Sequence, residues 1–121
     1  MNPFLGYFVI VHLGDGCLGS KYGNTFNTQL LTESATLVST PINGDLFIGE
    51  YVTTWIDTLR PVDFTQARLI ISRKAESVSQ YTLIWHEEGN PSNIYYYGEG
   101  MLYESNLVGS YWNDNIQRAI F

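Results

Sequence analysis

The sequence predicts an all-β fold, an antiparallel up-and-down β-barrel of about eight strands. Three observations carry that prediction. The first is a C-terminal meander: Tyr81–Trp85, Ile94–Tyr103 and Leu107–Trp112 are aromatic-rich apolar runs, separated by the polar His86–Asn93 and by Glu104-Ser105-Asn106. The second is that β-branched and aromatic residues recur between turn signals along the whole chain, while no long amphipathic helical pattern is visible. The third is composition. Hydrophobic residues make up 45% and charged residues 15%, too little charge to keep long sheet edges solvated, and closing the sheet removes those edges.

Taken in order, Phe4–His12 is a first strand, rich in aromatic and β-branched side chains. Leu13–Asn24 is crowded with glycine and reads as a wide loop, because glycine takes positive φ at little steric cost. It lacks the Lys-Ser/Thr ending and the following helix of a phosphate cradle. Thr25–Leu31 and Ala35–Ser39 read as two shorter strands split at Thr32-Glu33-Ser34, and their threonine content argues against a helix there. Pro41–Asp45 is a turn around Asn43-Gly44. Leu46–Asp57 is a long strand in which Gly49 marks a bend of the kind a curling sheet needs. Leu59–Asp63 breaks the pattern at Pro61, and Phe64–Lys74 resumes it with Ala67, Leu69 and Ile71 on one face.

The meander divides into faces by the strand's period of two. Tyr81, Leu83 and Trp85 share one face of the first run. In the second, Tyr95, Tyr97, Glu99, Met101 and Tyr103 oppose Tyr96, Gly98, Gly100 and Leu102. In the third, Leu107, Gly109 and Tyr111 oppose Val108, Ser110 and Trp112. The face bearing Gly98 and Gly100 leaves room in a barrel interior or admits a closely packed neighbour.

The motifs Y-T-L-I-W at Tyr81–Trp85, G-E-G at Gly98–Gly100 and L-V-G-S-Y at Leu107–Tyr111 resemble those of small lipocalin-like (calycin-type) barrels, many of them uncharacterised bacterial proteins. The resemblance covers the chain from Tyr81 onward and extends to Gly49-Glu50-Tyr51, which looks like a shifted version of the glycine-x-aromatic motif that opens many such barrels. It implies an antiparallel barrel with a cavity for a small hydrophobic or amphipathic ligand. It places no specific ligand, because no family ligand-binding motif is matched. The residues expected to form such a site are Tyr51, Trp55, Trp85, Tyr96, Gly98, Gly100 and Trp112.

A length of 121 residues fits one domain with a single core. With a net charge of −6 and six Lys and Arg in all, the chain is a poor match for nucleic acid or an anionic membrane. The apolar N-terminal run is too short to span a bilayer and has no basic residue before it, so it reads as a strand. The lone Cys17 forms no internal disulfide, and the cytoplasm is the expected compartment. Cys17 also has no neighbouring base to activate it.

His86 with Glu87 and Glu88 is the one acid–base constellation, and alternation puts only His86 and Glu88 on one side. His12 ends another strand, and nothing in the sequence brings it to His86 and Glu88 as a metal site. Glu50 and Glu99 sit inside apolar strands, where an inward carboxyl would contact a ligand and an outward one would be solvated. No catalytic residue, metal or cofactor is expected.

Three functions follow from this reading. One is a ligand-binding barrel; the second is a filled barrel that works through a homodimer interface; the third is an isomerase- or lyase-type enzyme using Glu99 or Glu50 with His86. Apolar residues on both faces of the strands favour a homodimer under each of them.

Overall fold

A computed structural model describes residues 4–39, 45–56, 64–77 and 79–113. Eight strands form one closed antiparallel barrel in simple sequence order. They are β1 (Leu5–Gly14), β2 (Cys17–Asn24), β3 (Asn27–Leu37), β4 (Gly49–Ile56), β5 (Phe64–Arg73), β6 (Gln80–Glu87), β7 (Asn90–Tyr103) and β8 (Asn106–Trp112). Each strand pairs with the next, and β1 closes the cylinder on β8, with Leu5 opposite Trp112 and Ile10 opposite Leu107. Among the described residues no helix is long and apolar enough to cross a membrane.

The all-β up-and-down barrel expected from the strand rhythm is therefore the fold. Several boundaries differ from the sequence reading; β7, for one, begins at Asn90, inside the polar segment read as a separator. The glycine-rich segment is not a wide loop: Cys17–Asn24 is a full strand, joined to β1 by a tight Asp15-Gly16 turn in which both residues have positive φ. Its glycines are tolerated because neighbours cover them. Gly23 lies under the phenol of Tyr7, its cross-strand partner, and Gly19 lies beside Leu13. The break at Thr32-Glu33-Ser34 does not exist, since β3 runs through it and pairs Ser20 with Glu33 and Glu33 with Trp55. Finally, β4 begins at Gly49, and Leu46–Ile48 belongs to the connection before it. The predicted break at Leu59–Asp63 and most of the Pro41–Asp45 turn lie outside the described residues.

Alternation sorts the side chains as expected for a barrel. Ile10, Leu18, Leu69, Ile71, Leu83 and Leu107 are fully buried and fill one half of the interior. That half is closed by the segment after Asp45. Phe47 lies across the barrel end, its ring against His12 of β1 and Tyr81 of β6, while its carbonyl accepts from the Tyr51 hydroxyl at 2.8 Å. Asp45 pins the segment in place. Its carboxylate accepts the backbone N–H groups of Phe47 (2.8 Å) and Ile48 (3.0 Å), the hydroxyl of Tyr81 (2.8 Å) and the guanidinium of Arg73 (2.9 Å). The other half of the interior, toward the start of β1 and the end of β8, is where the barrel is not filled.

Candidate functional site

The unfilled half is a cavity of about 530 Å³ that opens between the β2–β3 hairpin and the ends of β4 and β6. Its mouth carries Phe26 and Ile56, both exposed. Behind them stand aromatic walls. Phe4 stacks on Tyr96 with ring centroids 5.4 Å apart, and Tyr96 meets Tyr111 edge-on at the same distance. Trp55 and Trp85 face Tyr96 from two sides at 6.4 and 6.5 Å, and Trp85 also lies 5.9 Å from Tyr111. Edge and tilted contacts of this kind fix the ring orientations.

One geometric detail keeps that space open. Gly6 is the cross-strand partner of Tyr111, and a Cβ at Gly6 would fall within the Tyr111 ring. The missing side chain lets the phenol lie flat against the β1 backbone. Its hydroxyl accepts from Asn24 Nδ2 at 3.2 Å, and burial pushes the phenol's pKa up to about 12, so it stays neutral.

Toward the closed half, the inward positions of β2, β3 and β4 carry polar residues: Ser20, Glu33 and Thr53 are all buried. Glu33 lines the cavity and is 8% exposed. Its Oε2 accepts both the Thr53 hydroxyl and the Trp85 indole N–H, the latter at 2.9 Å. Oε1 has no partner among the described residues. Burial raises the pKa of the carboxyl and outweighs the two hydrogen bonds, which act to lower it. Burial therefore favours the neutral acid at Glu33.

The residues singled out from sequence divide between this cavity and the rest of the barrel. Trp55, Trp85 and Tyr96 line it. Tyr51 is buried in the closed half, bonded to Phe47. Gly98 faces inward behind Trp85, and a Cβ there would meet the indole at 2.9 Å, so the glycine seats a wall residue. Gly100 does the same for Leu107 in the closed half. Trp112 alternates away from Tyr111 and is buried outside the cavity, its indole N–H without a partner among the described residues.

The acid–base candidates lie elsewhere. Glu50 points outward to Arg68 (2.6 Å), which also binds Glu88 (2.7 Å), and Glu99 points outward to Lys74 (3.1 Å). His86 is buried at a register shift in β6, its Nδ1 2.8 Å from the carbonyl of Glu87. His12 lies at the closed end, and the described residues contain no cluster of metal-ligating side chains.

Sequence reasoning missed Glu33 because three consecutive polar residues looked like a break. The signal was present: Leu31, Glu33, Ala35 and Leu37 share one parity, so an unbroken strand turns Glu33 inward with them.

No family model, curated protein or solved structure matches this chain.

Proposed function

We propose that this protein is a binding module that holds one small hydrophobic or amphipathic molecule inside the barrel. The observation that carries this reading is the cavity itself: about 530 Å³, walled by aromatic rings, with a single buried carboxyl at its inner end. Ligand pockets are typically roughly 300–1,000 Å³, mostly apolar, with a few placed polar groups. The similarity of Tyr81–Trp85, Gly98–Gly100 and Leu107–Tyr111 to lipocalin-like barrels supports the same role. Glu33 gives the cavity an acid, but the described lining has no histidine, cysteine, lysine or second carboxyl to complete an acid–base pair. Binding is therefore favoured over turnover.

The test uses N-phenyl-1-naphthylamine, a neutral apolar fluorophore. Saturable enhancement at one probe per chain is expected, with binding reduced at least about tenfold in Leu31→Trp and in Thr65→Trp, which fill the cavity from two walls. Circular dichroism checks that both variants fold. Absence of saturable binding to the wild-type protein would overturn the reading.

A homodimer is the second reading, favoured by outward apolar residues on the two strands that flank β8: Tyr7 and Val9 of β1 and Met101 and Tyr103 of β7 are all exposed. Sedimentation velocity of wild type and Tyr7→Lys tests it, and a concentration-independent monomer would remove it.

A further inference from the structure

We infer that the ligand is an organic cation, an ammonium group on an apolar body, whose positive centre sits against Glu33 Oε1 and the faces of the surrounding rings. This inference rests on the binding-module reading and narrows it.

Three features of the cavity converge on a positive charge. The first is the half-used carboxyl. Thr53 and Trp85 both donate to Oε2, which leaves Oε1 on the cavity side with nothing in the described structure to bond. Two donors on one oxygen orient the carboxyl and lower the cost of ionising it once a cation lies beside it, which leaves Oε1 as the acceptor still to be met. The second is the aromatic lining of the same cavity. Trp55 is the register partner of Glu33, Trp85 donates its indole N–H to it, and Tyr96 and Tyr111 line the cavity with them, the rings lying 5.4 to 6.5 Å from one another. Ring faces carry the negative side of the aromatic quadrupole, and cations held among several rings gain most when desolvated. The third is what the lining lacks. Among its described residues there is no Lys, Arg or His to receive an anionic headgroup, and a carboxylate ligand would be set against Glu33 instead. The chain's net charge of −6 also draws cations toward the mouth and repels anions.

Burial raises the Glu33 pKa and so favours its protonated form when no cation is bound. When a permanently charged ammonium enters, it takes the place of that proton, which leaves to solvent. The affinity for the cation therefore rises with pH until Glu33 is ionised without help, and is flat above that point. The other titratable groups facing Glu33 are phenols: Tyr22 from β2, Tyr95 and Tyr96 from β7, and Tyr111 from β8. None is a carboxylate or an imidazole, and burial pushes the Tyr111 phenol up to about 12.

The experiment is a titration of the full chain with three matched probes, read by tryptophan fluorescence and calorimetry. The probes are benzyltrimethylammonium, its neutral isostere neopentylbenzene, and the anion phenylacetate. The ammonium is expected to bind at least about tenfold more tightly than the neutral isostere, and phenylacetate weakest. Glu33→Gln keeps an acceptor for Thr53 and Trp85, so it should remove that preference and the pH dependence, with circular dichroism checking that the variant folds. Calorimetry in buffers of different ionisation enthalpy should register proton release in the wild type alone. Equal binding of cation and isostere, or tightest binding of phenylacetate, would overturn the cation inference and leave the binding module standing. An ammonium preference that survives in Glu33→Gln would also overturn it. Failure of all three probes, together with failure of N-phenyl-1-naphthylamine, would remove both readings.

Discussion

Replacing Asp45 should open the closed end of the barrel, and the four hydrogen bonds on its carboxylate set the size of the effect. The side chain is 9% exposed, and it ties the Phe47 and Ile48 backbone, Tyr81 and Arg73 to one point. Hydrogen bonds to a charged acceptor contribute about 1.5–3 kcal/mol each, but Arg73 is well exposed and adds little. The two loop amides recover part of their loss from water once the segment loosens. Asp45→Ala should therefore cost about 3–4 kcal/mol, a large fraction of the 5–15 kcal/mol typical of a domain. Asp45→Asn keeps Oδ1 for both amides and loses the charge, so about 1–2 kcal/mol is expected. Urea unfolding followed by circular dichroism measures both.

The same residue gives a pH signature. Burial alone would raise the Asp45 pKa, but the bonds from Phe47, Tyr81 and Ile48 and the charge of Arg73 together hold it below the ordinary value. A depressed carboxyl contributes stability that is complete above its unfolded-state pKa and is lost as pH falls through the folded-state value. The gap between wild type and Asp45→Asn should shrink as the solution is acidified. A cost below about 1 kcal/mol for Asp45→Ala, or a gap that stays constant into acid, would refute the reasoning.

Three other predictions follow from single positions. Glu33 has the opposite sign: its raised pKa gives stability that is complete below the unfolded carboxyl value and falls as pH rises through the folded value, so the empty wild type should lose stability relative to Glu33→Gln on the alkaline side of that range, as thermal unfolding across pH would record. Gly6→Ala puts a methyl where the Tyr111 ring lies, so the ring must swing into the cavity at a cost of about 1–3 kcal/mol, and N-phenyl-1-naphthylamine should bind more weakly; unchanged stability and affinity would contradict the packing described. Ser105→Gly should stabilise by about 1 kcal/mol and raise the melting temperature by about 4 °C, because Glu104 and Ser105 both hold positive φ (51° and 71°) in a hairpin turn where glycine carries no penalty.

The fold was largely legible because alternation survives every local irregularity: Ala67, Leu69 and Ile71, or Tyr81, Leu83 and Trp85, could be assigned to one face from the chain alone, and all six are buried. What was not legible depended on neighbours distant in sequence. β2 looked like a loop because its glycines have no side chains, and only pairing with β1 brings Tyr7 over Gly23. Half the site was hidden for the same reason. Ser20, Glu33 and Thr53 lie on three separate strands and share an inward polar patch only once the register is set. Glu50 and Glu99 drew notice as carboxyls in apolar runs, yet their parity points them outward to Arg68 and Lys74. An acidic residue inside a strand is thus informative only after its face is known.

The pairing of β1 with β8 also bears on how the molecule reaches its native state. Every other ladder joins consecutive strands, whereas this seam unites Leu5 with Trp112 from opposite ends of the described chain. The hairpins can form early at small loop-closure cost, but the seam must wait for β8 and meets the largest such cost. Until Asn106–Trp112 has emerged from the ribosome, both β1 and β7 present open edges, and β1 does so beside the exposed Leu5, Tyr7 and Val9. β8 therefore acts as a kinetic gate: a chain cut short before it is a template for aggregation, and its pairing with β1 removes that hazard in one closing step.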